Sequence, residues 1–144
     1  LDIGYNYRIS ALGAALGFNQ INKISKHVQS KAKIFEMYQN ELKKLNIQFQ
    51  TFDKNVDSSY WLTVAIFPEN TNVNKLQEYL YKNKIETRRM FFPLHLQKPY
   101  LCDKYKNFEI SEKLYELGLC LPTYPDLKKK EIIYITEKIK KFFE

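Results

Sequence analysis

Cysteine, arginine and long apolar runs are what this sequence has least of. Its two cysteines, Cys102 and Cys120, stand far apart and form no C-x-x-C pair. A disulfide framework is therefore not implied, and adding His27 and His95 gives no common zinc spacing. No metal site is expected, and both thiols read as structural. Among the 23 lysines and arginines only Arg8, Arg88 and Arg89 are arginine. The net charge of +7 raises the question of nucleic acid. Yet the side chain suited to bidentate phosphate and base contacts is scarce. The lysines are also scattered, apart from Lys128-Lys129-Lys130 and Lys138, Lys140 and Lys141. A solvated basic surface is expected, with no nucleic-acid partner. No segment approaches the unbroken apolar length that crosses a bilayer, so no membrane partner is expected. The first residues lack the charged-then-apolar layout of a signal peptide. With no initiator Met, the reading is of a cytoplasmic chain and a piece of a longer one. Internal repeats, low-complexity tracts and linkers are missing too.

What is present describes a folded protein. At 144 residues, 44% hydrophobic and 15% aromatic, the chain can bury one real core and is not disordered. Ile9, Leu12, Leu16, Ile21, Ile24, Val28, Ala32, Phe35, Tyr38, Leu42 and Leu45 recur at helical spacing. The pattern is too long for one ordinary helix. It predicts two helices or one bent helix, started by Ser10 and broken between Gly17 and Ile24. Gly13 and Gly17, with Ala11, Ala14 and Ala15, give the first part a small-residue face. Such a face suits close approach by a missing domain or a second subunit.

Residues 46–52 are ambiguous, with a strand one reading, and lead to a polar loop over 53–58. The β-branched and aromatic run 60–67, stopped by Pro68, is the clearest strand. The spacing then predicts a helix over 73–82 with Asn72 or Asn74 as cap, and a strand over 84–89. A two-proline loop follows over 90–100, then a helix over 108–117 that Gly118 closes in the usual C-terminal position. A short strand over 119–121 is cut by Pro122. The last helix, over 129–143, carries Ile132, Ile135, Ile139, Phe142 and Phe143 as its buried stripe. This order gives an α+β (α/β) fold: a long helical hairpin, then a small, mostly antiparallel sheet covered by helices. Residues 1–45 form the hairpin part and 46–144 a small α/β domain, with more apolar face on the hairpin than the sheet can cover.

The run Gly4-Tyr5-Asn6-Tyr7-Arg8-Ile9-Ser10, followed by Ala14-Ala15-Leu16-Gly17, resembles the signature of the DegT-type (DegT/DnrJ/StrS) aminotransferases. These are fold-type-I pyridoxal-phosphate enzymes that aminate keto groups on nucleotide-linked sugars. The resemblance continues in order through Ser59-Tyr60-Trp61, Ile85-Glu86-Thr87-Arg88, Pro93-Leu94-His95, Leu119-Cys120-Leu121-Pro122 and Pro125-Asp126-Leu127. It implies the C-terminal small domain of such an enzyme, a homodimer whose cofactor site is shared across the interface. Asn6 would donate its amide to the phosphate of pyridoxal phosphate in the partner's site. Arg8 beside it would pair with anionic groups or brace the loop. Arg88 would bind a diphosphate or carboxylate, and His95 a sugar hydroxyl. The cofactor lysine and the acid facing the pyridine nitrogen lie upstream in the family, so no catalytic residue is expected in this chain.

The implied substrates are a nucleotide sugar and an amino donor, glutamate, in surface polysaccharide or amino-sugar biosynthesis. Blander readings stand beside these. Asn6 would then take a left-handed turn, Arg8 cap a helix, His95 lie on a surface loop without a partner, and Tyr60 and Trp61 pack in a core or interface. A non-catalytic interaction module built on the same small domain is the alternative function. Two positions depart from the family: Arg89, where proline commonly follows the arginine, and Lys128, where Ser or Thr often caps the last helix. Asp126 is the substitute cap on that reading.

Overall fold

Ser10 starts the first helix, its hydroxyl accepting the backbone N–H of Gly13 at 3.1 Å. This satisfies one of the donors that a helix start leaves unpaired. The computed structural model describes Tyr5, residues 7–101 and residues 108–144. Helix α1 (Ala11–Ile21) gives way at Asn22 and Lys23 to helix α2 (Ile24–Leu42), inside the window the sequence allowed. The two helices behave oppositely. Ile34, Tyr38 and Leu42, four residues apart on α2, are buried along with Phe35, whereas α1 buries nothing. Ile9, Leu12, Leu16, Phe18, Ile21 and Ile24 are all exposed. The surplus apolar face expected of the whole hairpin is therefore confined to its first half. The second half of α2 packs against the last helix and shares its core with the sheet.

Among the described residues four short strands form one antiparallel sheet in the order β1-β2-β4-β3. They are β1 (Gln48–Phe49), β2 (Thr63–Ile66), β3 (Arg88–Arg89) and β4 (Gly118–Leu121). Thr63 pairs with Leu121 and Arg88 with Cys120. The remaining α-helices among the described residues are α3 (Val73–Lys82), α4 (Glu109–Leu117) and α5 (Lys129–Phe142). Along β2 the alternation is strict: Thr63 and Ala65 are buried, Val64 and Ile66 half-buried. Ala65, Leu119 and Leu121 join Leu42, Leu76, Leu80, Ile132 and Ile139 in the main core. Among the described residues no helix is long and apolar enough to cross a membrane.

Two predicted strands are shorter than their residue types suggest, and each is cut by a left-handed residue. Tyr60 has φ 49° and donates its N–H to Ser58 Oγ at 3.1 Å, so β2 begins only at Thr63. Lys84 has φ 63°, and the N–H of Ile85 returns to the carbonyl of Leu80 at 2.9 Å. Residues 84 and 85 thus close α3 in the manner of a left-handed C-terminal motif, without the glycine that usually announces one. The expected loop over 90–100 contains two single 3-10 turns, Leu94–Leu96 and Lys98–Tyr100.

Gly118 closes α4 as the sequence suggested, but not in a left-handed conformation. Its backbone is extended, at φ −88° and ψ 136°, and it is the first residue of β4. A Cβ there would collide with the carbonyl oxygen of Leu114 and the side chain of Met90. The glycine is needed for close approach, not for a positive φ. Asp126 is not the cap of α5. Lys128 occupies that position, and its N–H donates to the Glu131 carboxylate at 2.8 Å, one half of a capping box. Phe143 follows the helix rather than continuing its buried stripe, and stacks on Phe67 at 6.1 Å between centroids.

Candidate functional site

The site is built around β3 and the loop that follows it. Arg88 and Arg89 are adjacent on an edge strand, and a strand sends successive side chains to opposite faces. Arg88 is exposed and opposite Cys120. It lines a cavity of about 720 Å³ together with Lys84, Thr87, Tyr124, Lys130 and Tyr134. The Thr87 hydroxyl in that wall is buried and has no hydrogen-bond partner among the described residues. Burial raises the Cys120 thiol above its ordinary range, and the nearby Arg88 charge partly opposes the rise. A buried, protonated thiol is a packing residue, as its sequence context suggested; Cys102 lies outside the described residues.

Arg89 turns back on helix α4. Its Nη2 donates to the carbonyls of Tyr115 and Glu116 at 2.7 and 2.8 Å, and its guanidinium lies 5.3 Å from the Tyr115 ring centre. These carbonyls belong to the last turn of the helix, where acceptors lack intrahelical partners and positive charge is favoured. Where the family commonly has proline, this chain thus has an arginine that fastens the loop to α4. No local pattern announces this contact, because the residues joined are 26 and 27 positions apart.

Further along, Phe92 meets Tyr115 edge-on at 5.2 Å, and Gln97 Nε2 donates to the Phe92 carbonyl at 3.1 Å. His95 is not an unpartnered surface residue. Its Nε2 lies 2.8 Å from Glu112 Oε1, and its ring stacks on Phe108 at 4.6 Å between centroids. His95 lines a second cavity, of about 740 Å³, whose wall is mainly Phe91, Phe92, Leu94, Tyr100 and Leu114. Arg88 and His95 therefore face two different depressions. Trp61 is exposed with its ring 6.0 Å from Phe91, and Tyr60 packs with Phe35 and Phe52 at 5.4 Å from each.

The N-terminal part of the predicted site is only partly described. Asn6 lies outside the described residues. Tyr5 and Tyr7 are exposed with ring centroids 6.0 Å apart, and Arg8 is exposed just ahead of the Ser10 cap. The first turn of α1 contains no acidic side chain. A guanidinium thus stands next to a helix start whose first turn has no acidic side chain, an arrangement that suits an anion. Burial lowers the Lys31 pKa below its ordinary value, and its Nζ donates to the Trp61 carbonyl at 2.9 Å. Among the described residues no cluster of three or more His, Cys, Asp or Glu could hold a metal ion.

Comparison with known proteins gives one consistent picture. A family model described as the DegT/DnrJ/EryC1/StrS aminotransferase family matches residues 1–140. The GDP-perosamine synthase of Escherichia coli O157:H7 is 32% identical over 141 residues, covering 98% of this chain and 38% of that protein. The GDP-perosamine synthase of Vibrio cholerae is 33% identical over 145 residues, covering 98% of this chain and 39% of that protein. The chain therefore spans less than half the length of these relatives. Among solved structures, a DegT DnrJ EryC1 StrS aminotransferase from Brucella abortus superposes with a TM-score of 0.85 at 22% identity. That match covers 99% of this chain and 38% of the other, and it establishes the shared fold.

Proposed function

This chain belongs to the DegT/DnrJ/EryC1/StrS aminotransferase family, and from that we propose that it is the C-terminal portion of a pyridoxal-phosphate-dependent enzyme. That enzyme transfers an amino group from glutamate to a keto-sugar nucleotide, in surface polysaccharide or amino-sugar biosynthesis. One observation carries the reading. Tyr5, Tyr7 and Arg8, from the run with the cofactor-binding pattern, are exposed ahead of a helix that buries nothing. A loop so presented is suited to a neighbouring subunit's site, in a homodimer.

The donor set suits a phosphate. Asn6 offers a neutral amide, Arg8 a guanidinium, and α1 a helix start without an acid. Pyridoxal phosphate, when bound, supplies the electron sink that amino-group exchange requires. In this reading Asn6 and Arg8 fix the phosphate end and bring no proton-transferring group. The cofactor lysine belongs to the upstream part, and no residue of this chain is catalytic. Arg88, exposed beside Lys84 and Lys130, serves the diphosphate or a carboxylate, and His95 serves a sugar hydroxyl. The setting is cytoplasmic, in keeping with a free, buried Cys120.

Mixed dimers test the proposal. In the full-length enzyme, one subunit carries N6A and the other lacks the upstream cofactor lysine. Each homodimer should be inactive, and the mixture should regain transfer from glutamate to the keto-sugar nucleotide. A mixture as inactive as its parents would show that Asn6 does not act across the interface. Absence of any transfer by the unaltered enzyme would overturn the function itself.

A further inference from the structure

We propose that Glu112 is a positioning residue for His95: it holds the imidazole proton on Nε2, so that Nδ1 is left to accept a hydrogen bond from a hydroxyl of the ligand. The inference rests on the reading of His95 as a substrate-binding residue. It adds which ring nitrogen acts, in which direction the bond runs, and what fixes it.

A carboxylate only accepts hydrogen bonds, so the 2.8 Å contact between Glu112 Oε1 and His95 Nε2 places a proton on Nε2. A neutral imidazole carries one such proton, and Nδ1 is then a bare acceptor. No described residue bonds to Nδ1. The ring is also held in plane, its face lying on Phe108 at an interplanar angle of 25°. With a side-chain exposure of 18%, His95 is enclosed enough for that orientation to persist. Glu112 stands on the first turn of α4, its backbone N–H donating to the Phe108 carbonyl at 3.1 Å. Helix and loop are tied again at the other end by Arg89.

The cavity that His95 lines is otherwise mainly apolar. In such a pocket a few well-placed polar atoms decide how a ligand lies. An acceptor at Nδ1 selects an O–H donor such as a sugar hydroxyl and offers nothing to a phosphate or carboxylate oxygen. A ligand lacking that hydroxyl leaves the nitrogen unpaired and is discriminated against.

The tautomer is read directly from the long-range ¹⁵N–¹H correlations of His95, recorded above the ordinary imidazole range at about pH 8.5. The unaltered chain should show Nε2–H and a bare Nδ1. Glu112→Leu should mix the two tautomers. Glu112→Gln, whose amide oxygen still accepts, should restore the Nε2–H form. In the full-length enzyme E112L should raise KM for the keto-sugar nucleotide about tenfold, the worth of one oriented hydrogen bond. E112Q should recover most of that loss, with kcat little changed in both. An Nδ1–H tautomer in the unaltered chain overturns the inference without needing any variant to fold. An unchanged tautomer in E112L, with H95A still raising KM, overturns the inference while the reading of His95 stands. H95A with unchanged KM overturns that reading and the inference together.

Discussion

The phenol of Tyr38, fully buried on helix α2, donates a hydrogen bond at 3.0 Å to the backbone carbonyl of Pro122, 84 residues further along the chain. This bond joins the helical hairpin to the end of the central strand. Burial first, and then the nearby Tyr124, push the Tyr38 pKa well above the ordinary phenol value.

Tyr38 should therefore make stability depend on alkaline pH. Its folded pKa lies above its unfolded one, so its contribution is fully present below about pH 10 and is lost as pH rises beyond that. Chemical denaturation across this range should show the decline, and Tyr38→Phe should remove much of it. At neutral pH the same substitution should cost about 1–3 kcal/mol, because the Pro122 carbonyl loses its donor.

The adjacent arginines should separate cleanly. Arg89→Ala removes both bonds to the last turn of α4 and should cost about 2–3 kcal/mol, with Arg89→Lys recovering only part. Arg88→Ala, at an exposed position, should change stability by less than about 0.5 kcal/mol. Thermal melts of the three variants test this, and an equal loss at both positions would refute the assignment.

Gly118→Ala should destabilise by about 1–3 kcal/mol, as overpacking does. Met90 has a flexible side chain that can yield, but the Leu114 carbonyl is helix backbone. Combining G118A with M90A should therefore leave part of the loss in place.

Apolar residues on α1 should be dispensable for stability. Leu12→Ser and Leu16→Ser should each shift unfolding by less than about 0.5 kcal/mol. Leu76→Ala, in the main core, should cost about 2–5 kcal/mol. Sedimentation should show the unaltered chain associating with itself more than the α1 variants do.

Cys120 should alkylate slowly in a C102S background, since burial both shields the thiol and raises its pKa. Arg88 works against that rise. Arg88→Gln should lift the pKa further and slow the reaction at fixed pH; a faster reaction would contradict the assigned effect of its charge.

Much of the architecture was legible because it follows from apolar periodicity and local capping. The break between α1 and α2, the Ser10 and Asn72 caps and the α+β order are all of this kind. What escaped was set by residues distant in sequence or by unusual backbone. Tyr60 and Lys84 take left-handed conformations without being glycine or asparagine, so the strands around them looked longer than they are. Gly118 was legible as the residue that closes α4, but the crowding of Leu114 and Met90 that requires a glycine there was not. At the site, the family pattern drew attention to Arg88 and His95. Glu112 and the anchoring role of Arg89 depend on α4 lying beside the loop, which no local pattern encodes.

Helix α4 passes into β4 with no intervening residue, Leu117 being the last of one and Gly118 the first of the other. Arg89 grips the end of that helix and His95 its beginning. Loop, helix and central strand are thus joined in one unbroken run of contacts. From β4 that run continues through the carbonyl of Pro122 to Tyr38 and α2.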